Sequence, residues 1–273
     1  MATIEPSGFI AVGSLQLEYR MAGPTPDQAP TIVLLHEGLG SAAQWNNFQE
    51  PLAQATQAGV FAYSRAGYGA SSTVAVPRPL TYMHDEALQV LPQVLDAIGF
   101  RRGLLIGHSD GASIAAVYAG GAQDHRVRGL SLIAPHFVVE DCSIEAITQA
   151  KVAYDSGDLR ARLARWHRDV DAAFRGWNDA WLHPEFRKWD ITEYLARIRV
   201  PVQIVQGEAD PYGSLRQVQI AEEECDGPID VVVLPNARHS PHKEAFDATL
   251  QAVAGFANRI LTADVERNVR CSL

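Results

Sequence analysis

The sequence predicts an α/β protein built on a mostly parallel sheet with helices on both faces. Three observations carry this. Between residues 31 and 134, short runs rich in Val, Ile and Leu alternate with segments of helical spacing, as crossover helices between parallel strands require. From about 137 to 197 the alternation stops, and the chain is helical, aromatic and charged. After Val200 the strand–helix rhythm returns. A chain of 273 residues can bury one large core, or one core with a small appended unit.

The elements follow in order. Residues 8–20 alternate through Phe9, Ile10 and Val12, then Leu15, Leu17 and Tyr19, with Gly13-Ser14 between, which reads as an opening hairpin. Thr31–Leu35 is a strand that runs into His36-Glu37-Gly38-Leu39-Gly40-Ser41. Val60–Tyr63 is another, followed by the glycine loop Ser64-Arg65-Ala66-Gly67-Tyr68-Gly69-Ala70-Ser71. A helix over about 80–98 places Leu88, Val90, Leu91, Val94, Leu95 and Ile98 at helical spacing. Leu104–Ile106 is a strand, Ala112–Ala119 a helix of small residues, and Leu130–Ala134 the next strand. Val200–Gly207 and Ile229–Pro235 are the last two strands.

Between Ile106 and Ala112 stands Gly107-His108-Ser109-Asp110-Gly111. A G-x-S-x-G pattern between strand and helix is a nucleophile elbow, a strained turn that lifts serine Oγ above the sheet. The plain alternative is a glycine-rich turn with Ser109 as helix N-cap. A serine hydroxyl is a weak nucleophile and needs a base, which needs an orienting acid. Asp210 lies on the loop after the Val200–Gly207 strand, and His239 on the loop after Ile229–Pro235. Loops beyond strand C-termini are where such sheets hold ligands.

Over nearly its whole length the chain resembles the α/β-hydrolase superfamily. The H-x-G turn, the R-x-G-x-G-x-S loop, the G-H-S-x-G elbow, the G-x-x-D loop and the late histidine all match. Two positions depart: Glu37 stands where glycine is common, and Ser64 where aspartate often opens the glycine loop. The resemblance implies an eight-stranded sheet in a core of residues 1–136 and 198–273, and a helical lid over 137–197. It also implies a catalytic triad of Ser109, Asp210 and His239. The oxyanion would be held by backbone N–H groups of Asp110 and of Gly38 or Leu39.

Rivals exist for each role. His242 follows His239 closely but is expected to start the last helix, and Glu208 precedes Asp210 by two residues. His108 is expected to point sideways into packing, His36 to be structural, and His167 to be surface or packing. Asp110 suits the helix dipole, so only its backbone is expected to matter for catalysis. Glu37 beside an oxyanion site should oppose negative charge unless neutralised. Pairing with Arg65 is one reading and a solvent-facing carboxylate is the other. His136 ends the strand before the lid and is a candidate pocket residue, alongside Glu37. The segment 137–197 holds four of the five tryptophans; Trp166, Trp177 and Trp181 are candidates for an aromatic pocket roof, against the reading that they form the segment's own core.

The net charge of −9 argues against a nucleic-acid surface. No apolar run approaches the ~20 residues that span a bilayer, and residues 1–20 lack a secretory pattern. Cys142, Cys225 and Cys271 form no metal or redox motif, so reduced thiols in a cytoplasm are expected. The C-terminal Cys-Ser-Leu only faintly resembles a peroxisomal address. No metal or cofactor is expected. The expected partner is a small apolar or aromatic substrate with an ester-like bond (carboxylic ester, lactone or thioester). The same triad also serves carbon–carbon hydrolysis, lyase or perhydrolase chemistry, and a ligand-binding relative without turnover is a third reading. A homodimer through the lid is left open, as no residue argues for it.

Overall fold

A strand with no polar face must be covered on both sides. Every residue of β3 (Thr31–Leu35), β4 (Gly59–Tyr63) and β5 (Gly103–His108) is buried. The computed structural model, which describes residues 5–271, places these at the centre of one sheet. The other strands are β1 (Ser7–Val12), β2 (Leu15–Ala22), β6 (Val127–Ile133), β7 (Val202–Gly207) and β8 (Ile229–Leu234). Their spatial order is β1-β2-β4-β3-β5-β6-β7-β8. β1 and β2 pair as the expected hairpin, and β2 adds antiparallel to β4; every other pairing is parallel. Gly13 makes the hairpin turn at a positive φ of 57°, which costs glycine little.

The helices are α1 (Asn46–Thr56), α2 (Tyr82–Asp85), α3 (Leu91–Ala97), α4 (Asp110–Gly121), α5 (Asp141–Ser156), α6 (Leu159–Leu163), α7 (Val170–Trp181), α8 (Thr192–Leu195), α9 (Arg216–Glu224), α10 (Pro241–Glu244) and α11 (Phe246–Cys271). Strand periodicity divides the core into two. Val33, Leu35 and Leu105 pack with Leu91, Val94, Leu95 and the small residues of α4. Ile32, Leu34, Leu104 and Ile106 face the other way, against Phe48 and Leu52 of α1 and Val253 and Phe256 of α11.

The helix expected over 80–98 is α2 and α3 joined by a π-helical stretch, Glu86–Val90. The wide turn carries Glu86 inward, where it accepts the Tyr63 hydroxyl at 2.6 Å. Leu88, counted on the apolar face, is instead exposed. Between β6 and β7 the chain runs through α5 to α8 with no strand, only an isolated bridge between Val138 and Asp190. Tyr154 of α5 stacks on Phe174 of α7 with centroids 3.7 Å apart. Among the described residues no helix is long and apolar enough to cross a membrane. Ser272 and Leu273 of the C-terminal tripeptide lie outside the described residues.

Candidate active site

Ser109 sits between β5 and α4 with φ 53° and ψ −120°. Few L-residues adopt this conformation, and it is held by its surroundings. Both motif glycines are dictated by contact. A Cβ on Gly107 would lie 2.2 Å from the Gly111 carbonyl oxygen, and one on Gly111 would lie 2.1 Å from that of Leu35. Helix α4 therefore starts close against β3 and β5, and Ser109 is forced up at the strand end.

Three segments far apart in sequence meet there. His239 Nε2 is 3.0 Å from Ser109 Oγ. His239 Nδ1 is 2.8 Å from Asp210 Oδ2 and 3.0 Å from Oδ1. The carboxylate accepts at Nδ1–H, which leaves Nε2 free to accept the serine proton. Asp210 also accepts the Tyr212 N–H at 2.8 Å and the Gln206 amide at 2.9 Å. Burial pushes its carboxyl up, but His239 and the Tyr212 N–H outweigh that and hold it below the usual range. Glu208, the rival acid, is exposed. His242, the rival base, lies in α10 and packs against Trp45, with centroids 4.8 Å apart.

Gly38, Leu39 and Asp110 line the cavity beside Ser109. Among the described residues none of their N–H groups has a backbone acceptor. The loop that carries Gly38 and Leu39 is fixed by buried imidazoles. His36 Nε2 accepts the Arg65 N–H at 3.0 Å, so its proton sits on Nδ1 and goes to the Glu37 carbonyl at 2.7 Å. Burial, reinforced by the Arg65 charge, keeps His36 neutral.

The Glu37–Arg65 pairing does not form. The buried Arg65 guanidinium instead donates to the carbonyls of His36 and Glu37, the latter at 3.0 Å. It lies beneath the loop, where main-chain oxygens are within reach and Asp110 and Glu86 supply opposite charge. The solvent-facing reading fails as well. The Glu37 carboxylate, 17 % exposed, faces Lys243 Nζ and His108 Nδ1, each at 3.4 Å.

His167 is also more than packing. Its Nδ1 accepts the Gly69 N–H at 3.0 Å, and its Nε2 donates to the Leu39 carbonyl at 3.0 Å. It ties the stretch between α6 and α7 to both loops. His108 points sideways as expected, and its Nε2 lies 2.6 Å from the His239 carbonyl oxygen. Asp110 does more than answer a helix dipole. Its carboxylate accepts the Tyr82 hydroxyl at 2.5 Å and Trp181 Nε1 at 3.3 Å. Burial raises its carboxyl, against the lowering pull of Arg65.

The cavity above Ser109 holds about 110 Å³ and is walled by Trp177, Trp181, His136, Ile147 and Tyr212. It is small beside the ~300–1,000 Å³ usual for ligand pockets. Burial, then the His239 charge, lowers His136 to about 3, so it is a neutral wall. Trp166 is not part of this wall. It is 41 % exposed and lines a separate surface groove with Phe48, Lys243 and Phe246. It lies before α7, whereas Trp177 and Trp181 share one face of that helix at i,i+4. That spacing was the available signal. Ile147 and Tyr212 were missed; Tyr212 follows Asp210 by two residues, and its ring centroid is 4.6 Å from that of His239. Among the described residues no group of three His, Cys, Asp or Glu could hold a metal ion.

The model of a family described as the alpha/beta hydrolase family matches residues 32–252. Among solved structures, the chain is similar to the enol-lactonase from Burkholderia xenovorans LB400, with 20 % identity, 91 % of this chain and 99 % of that one covered, and a TM-score of 0.71. It is similar to the 2-hydroxy-6-oxo-6-phenylhexa-2,4-dienoate hydrolase from Rhodococcus sp. strain RHA1, with 16 % identity, coverage of 90 % and 96 %, and a TM-score of 0.76. It is also similar to the proline iminopeptidase of Mycobacterium smegmatis, with 18 % identity, coverage of 94 % and 99 %, and a TM-score of 0.66. At these identities the likeness is one of fold.

Proposed function

The chain belongs to the alpha/beta hydrolase family, and from that premise we propose that it is a serine hydrolase of a small ester-like bond, a carboxylic ester, lactone or thioester. One observation carries the reading: Ser109 Oγ, His239 and Asp210 form a single hydrogen-bonded line with links of 3.0 and 2.8 Å. In the proposed reaction, Ser109 Oγ attacks the substrate carbonyl carbon while His239 Nε2 takes its proton. Asp210 holds the ring and balances the imidazolium. The carbonyl electron pair moves onto oxygen, where the N–H groups of Asp110 and of Gly38 or Leu39 receive it. Collapse expels the alcohol or thiol, protonated by His239, and leaves an acyl-serine. Water, deprotonated by His239, then releases the acid and restores Ser109.

The small cavity and its indole walls favour a compact apolar or aromatic substrate. As the side chains stand the cavity is compact, about 110 Å³. In this reading residues 137–197 act as the lid, and the protein works in the cytoplasm without a cofactor. The test is nitrophenol release from short-chain nitrophenyl esters by wild type and Ser109→Ala. A fall of about 10³-fold or more is expected. Equal rates in two folded proteins overturn the reading. Product analysis then separates acyl transfer from carbon–carbon cleavage.

A further inference from the structure

We propose that Trp177 selects the acyl part of the substrate: its indole N–H donates to a second, uncharged oxygen on the carbon next to the scissile carbonyl, as in an α-alkoxy or α-keto ester. The proposal deepens the serine hydrolase reading and rests on it.

The placement of the indole is shown by a glycine. The backbone of Gly38 lies outside the left-handed region, yet a side chain there has no room. A Cβ at this position would lie 2.2 Å from Trp177 Nε1 and 2.3 Å from Cδ1. The nitrogen side of the indole thus takes the place of a side chain on the loop that carries the proposed oxyanion donors.

Trp177 lines the cavity above Ser109 and is 7 % exposed. A buried indole N–H ordinarily has an acceptor. Trp181, on the same face of α7, has two: the Tyr82 hydroxyl at 3.1 Å and Asp110 at 3.3 Å. Among the described residues Trp177 Nε1 has none. The group is also held in place. Asp169 caps α7 by accepting the Ala172 N–H at 2.9 Å, and the Asn178 amide donates to the Ile147 carbonyl at 3.1 Å. The Phe174 ring stands edge-on to the indole, with centroids 6.1 Å apart. A fixed, unpaired donor in a small cavity discriminates. A ligand that pairs with it gains a hydrogen bond, and one that buries it unpaired loses affinity.

The side of the cavity identifies the part of the substrate. In the proposed reaction the leaving group lies by His239 Nε2, which protonates it. The cavity rings beside His239 are those of Tyr212 and His136, at 4.6 and 5.6 Å. Trp177 stands over Gly38 instead, so the atom it reaches belongs to the acyl part. Ile147 and Trp181 surround that part with apolar surface. Glu37 lines the same cavity. Burial pushes its carboxyl up, but Lys243 foremost outweighs that and holds the group well below its ordinary value. A carboxylate on the substrate would meet that negative charge, whereas an ether or keto oxygen accepts the indole proton without it.

The test compares nitrophenyl methoxyacetate with nitrophenyl butyrate, whose acyl groups differ by an ether oxygen in place of a methylene. Trp177 is replaced by benzothienylalanine, which keeps the bicyclic shape and has sulfur instead of N–H. The readout is the ratio of kcat/KM, methoxyacetate over butyrate, in this variant against wild type, so the intrinsic reactivities of the esters cancel. The ratio is expected to fall about fivefold, the scale of one hydrogen bond. A second measurement needs neither turnover nor a changed cavity wall. It follows the indole proton–nitrogen NMR signal of Trp177 in Ser109→Ala, identified by its loss in Trp177→Phe. That signal is expected to move downfield with methyl methoxyacetate and not with methyl butyrate. A ratio unchanged within about twofold overturns the selection, and equal losses on both esters, as a plain wall or an oxyanion donor would give, are such a result. An indole signal that responds alike to both methyl esters, or to neither, overturns the donor. A wild type no faster than Ser109→Ala on either nitrophenyl ester overturns the hydrolase reading and the selection with it, while the indole signal still decides the donor.

Discussion

Replacing Asp210 by Asn separates charge from shape at the base. The carboxylate has three donors around it: His239 Nδ1, the Tyr212 N–H at 2.8 Å and the Gln206 amide at 2.9 Å. Asparagine offers one acceptor oxygen and a two-proton donor. The Tyr212 N–H belongs to the backbone and cannot turn, so it claims the oxygen. The NH₂ group then faces His239 and Gln206. His239 must accept at Nδ1 and carry its proton on Nε2, the nitrogen that should take the Ser109 proton. The wrong tautomer in a serine triad costs about 10⁴ in kcat, or about 5 kcal/mol. Gln206 also loses its acceptor on a buried side, worth about 1–3 kcal/mol of stability. Steady-state hydrolysis of a short nitrophenyl ester, with Ser109→Ala as the floor, should show kcat reduced to near that floor and KM changed only a few-fold. Urea unfolding should show the stability loss. A folded variant that keeps kcat within tenfold of wild type would refute the orienting role of Asp210.

Other perturbations follow from the same geometry. Gly107→Ala places a methyl 2.2 Å from the Gly111 carbonyl, so it should unfold the elbow or cost more than about 3 kcal/mol in a thermal melt. Gly255→Ala, with nothing within 4 Å of the new methyl, is the control and should be neutral or stabilising. Trp166→Ala should leave ester kcat/KM within about twofold, since the ring lies in the separate groove; a larger loss would return Trp166 to the pocket. Asp210 has a folded value below its unfolded one, so its contribution is complete above about pH 4. It is lost as pH falls through the folded value. Unfolding free energy measured below pH 4 should fall more steeply for wild type than for Asp210→Asn.

The sheet was legible because its strands are short apolar runs, each followed by a loop bearing glycine or a charged residue. Asp210 and His239 were legible for the same reason, since each follows a strand that ends at one edge of the sheet. Side chains that bind main-chain atoms of distant loops left no local trace. His167 reaches the Leu39 carbonyl 128 residues away, and nothing near His167 in sequence announces it. Arg65 misled in a related way. The two loops are neighbours, as the pairing with Glu37 supposed, but the guanidinium found carbonyls rather than the carboxylate. The π-helical stretch within 80–98 was hidden because Glu86 turns inward only to meet Tyr63, a tertiary partner.

The distance in chain between His108 and His239, 131 residues, also fixes when the site can exist. Ser109 is in place once β3, β5, β6 and α4 have packed, because its turn rests against Leu35, Gly107 and Gly111 and its N–H donates to the Ile133 carbonyl at 2.9 Å. His239 arrives with the loop after β8, the strand at the far edge of the sheet. Contacts of such separation close after local ones. On the proposed reading, a nascent chain, or one whose edge strand has peeled away, holds a serine without a base. In the proposed reaction the molecule is chemically silent until its last strand is laid down, and hydrolysis would report that assembly is complete.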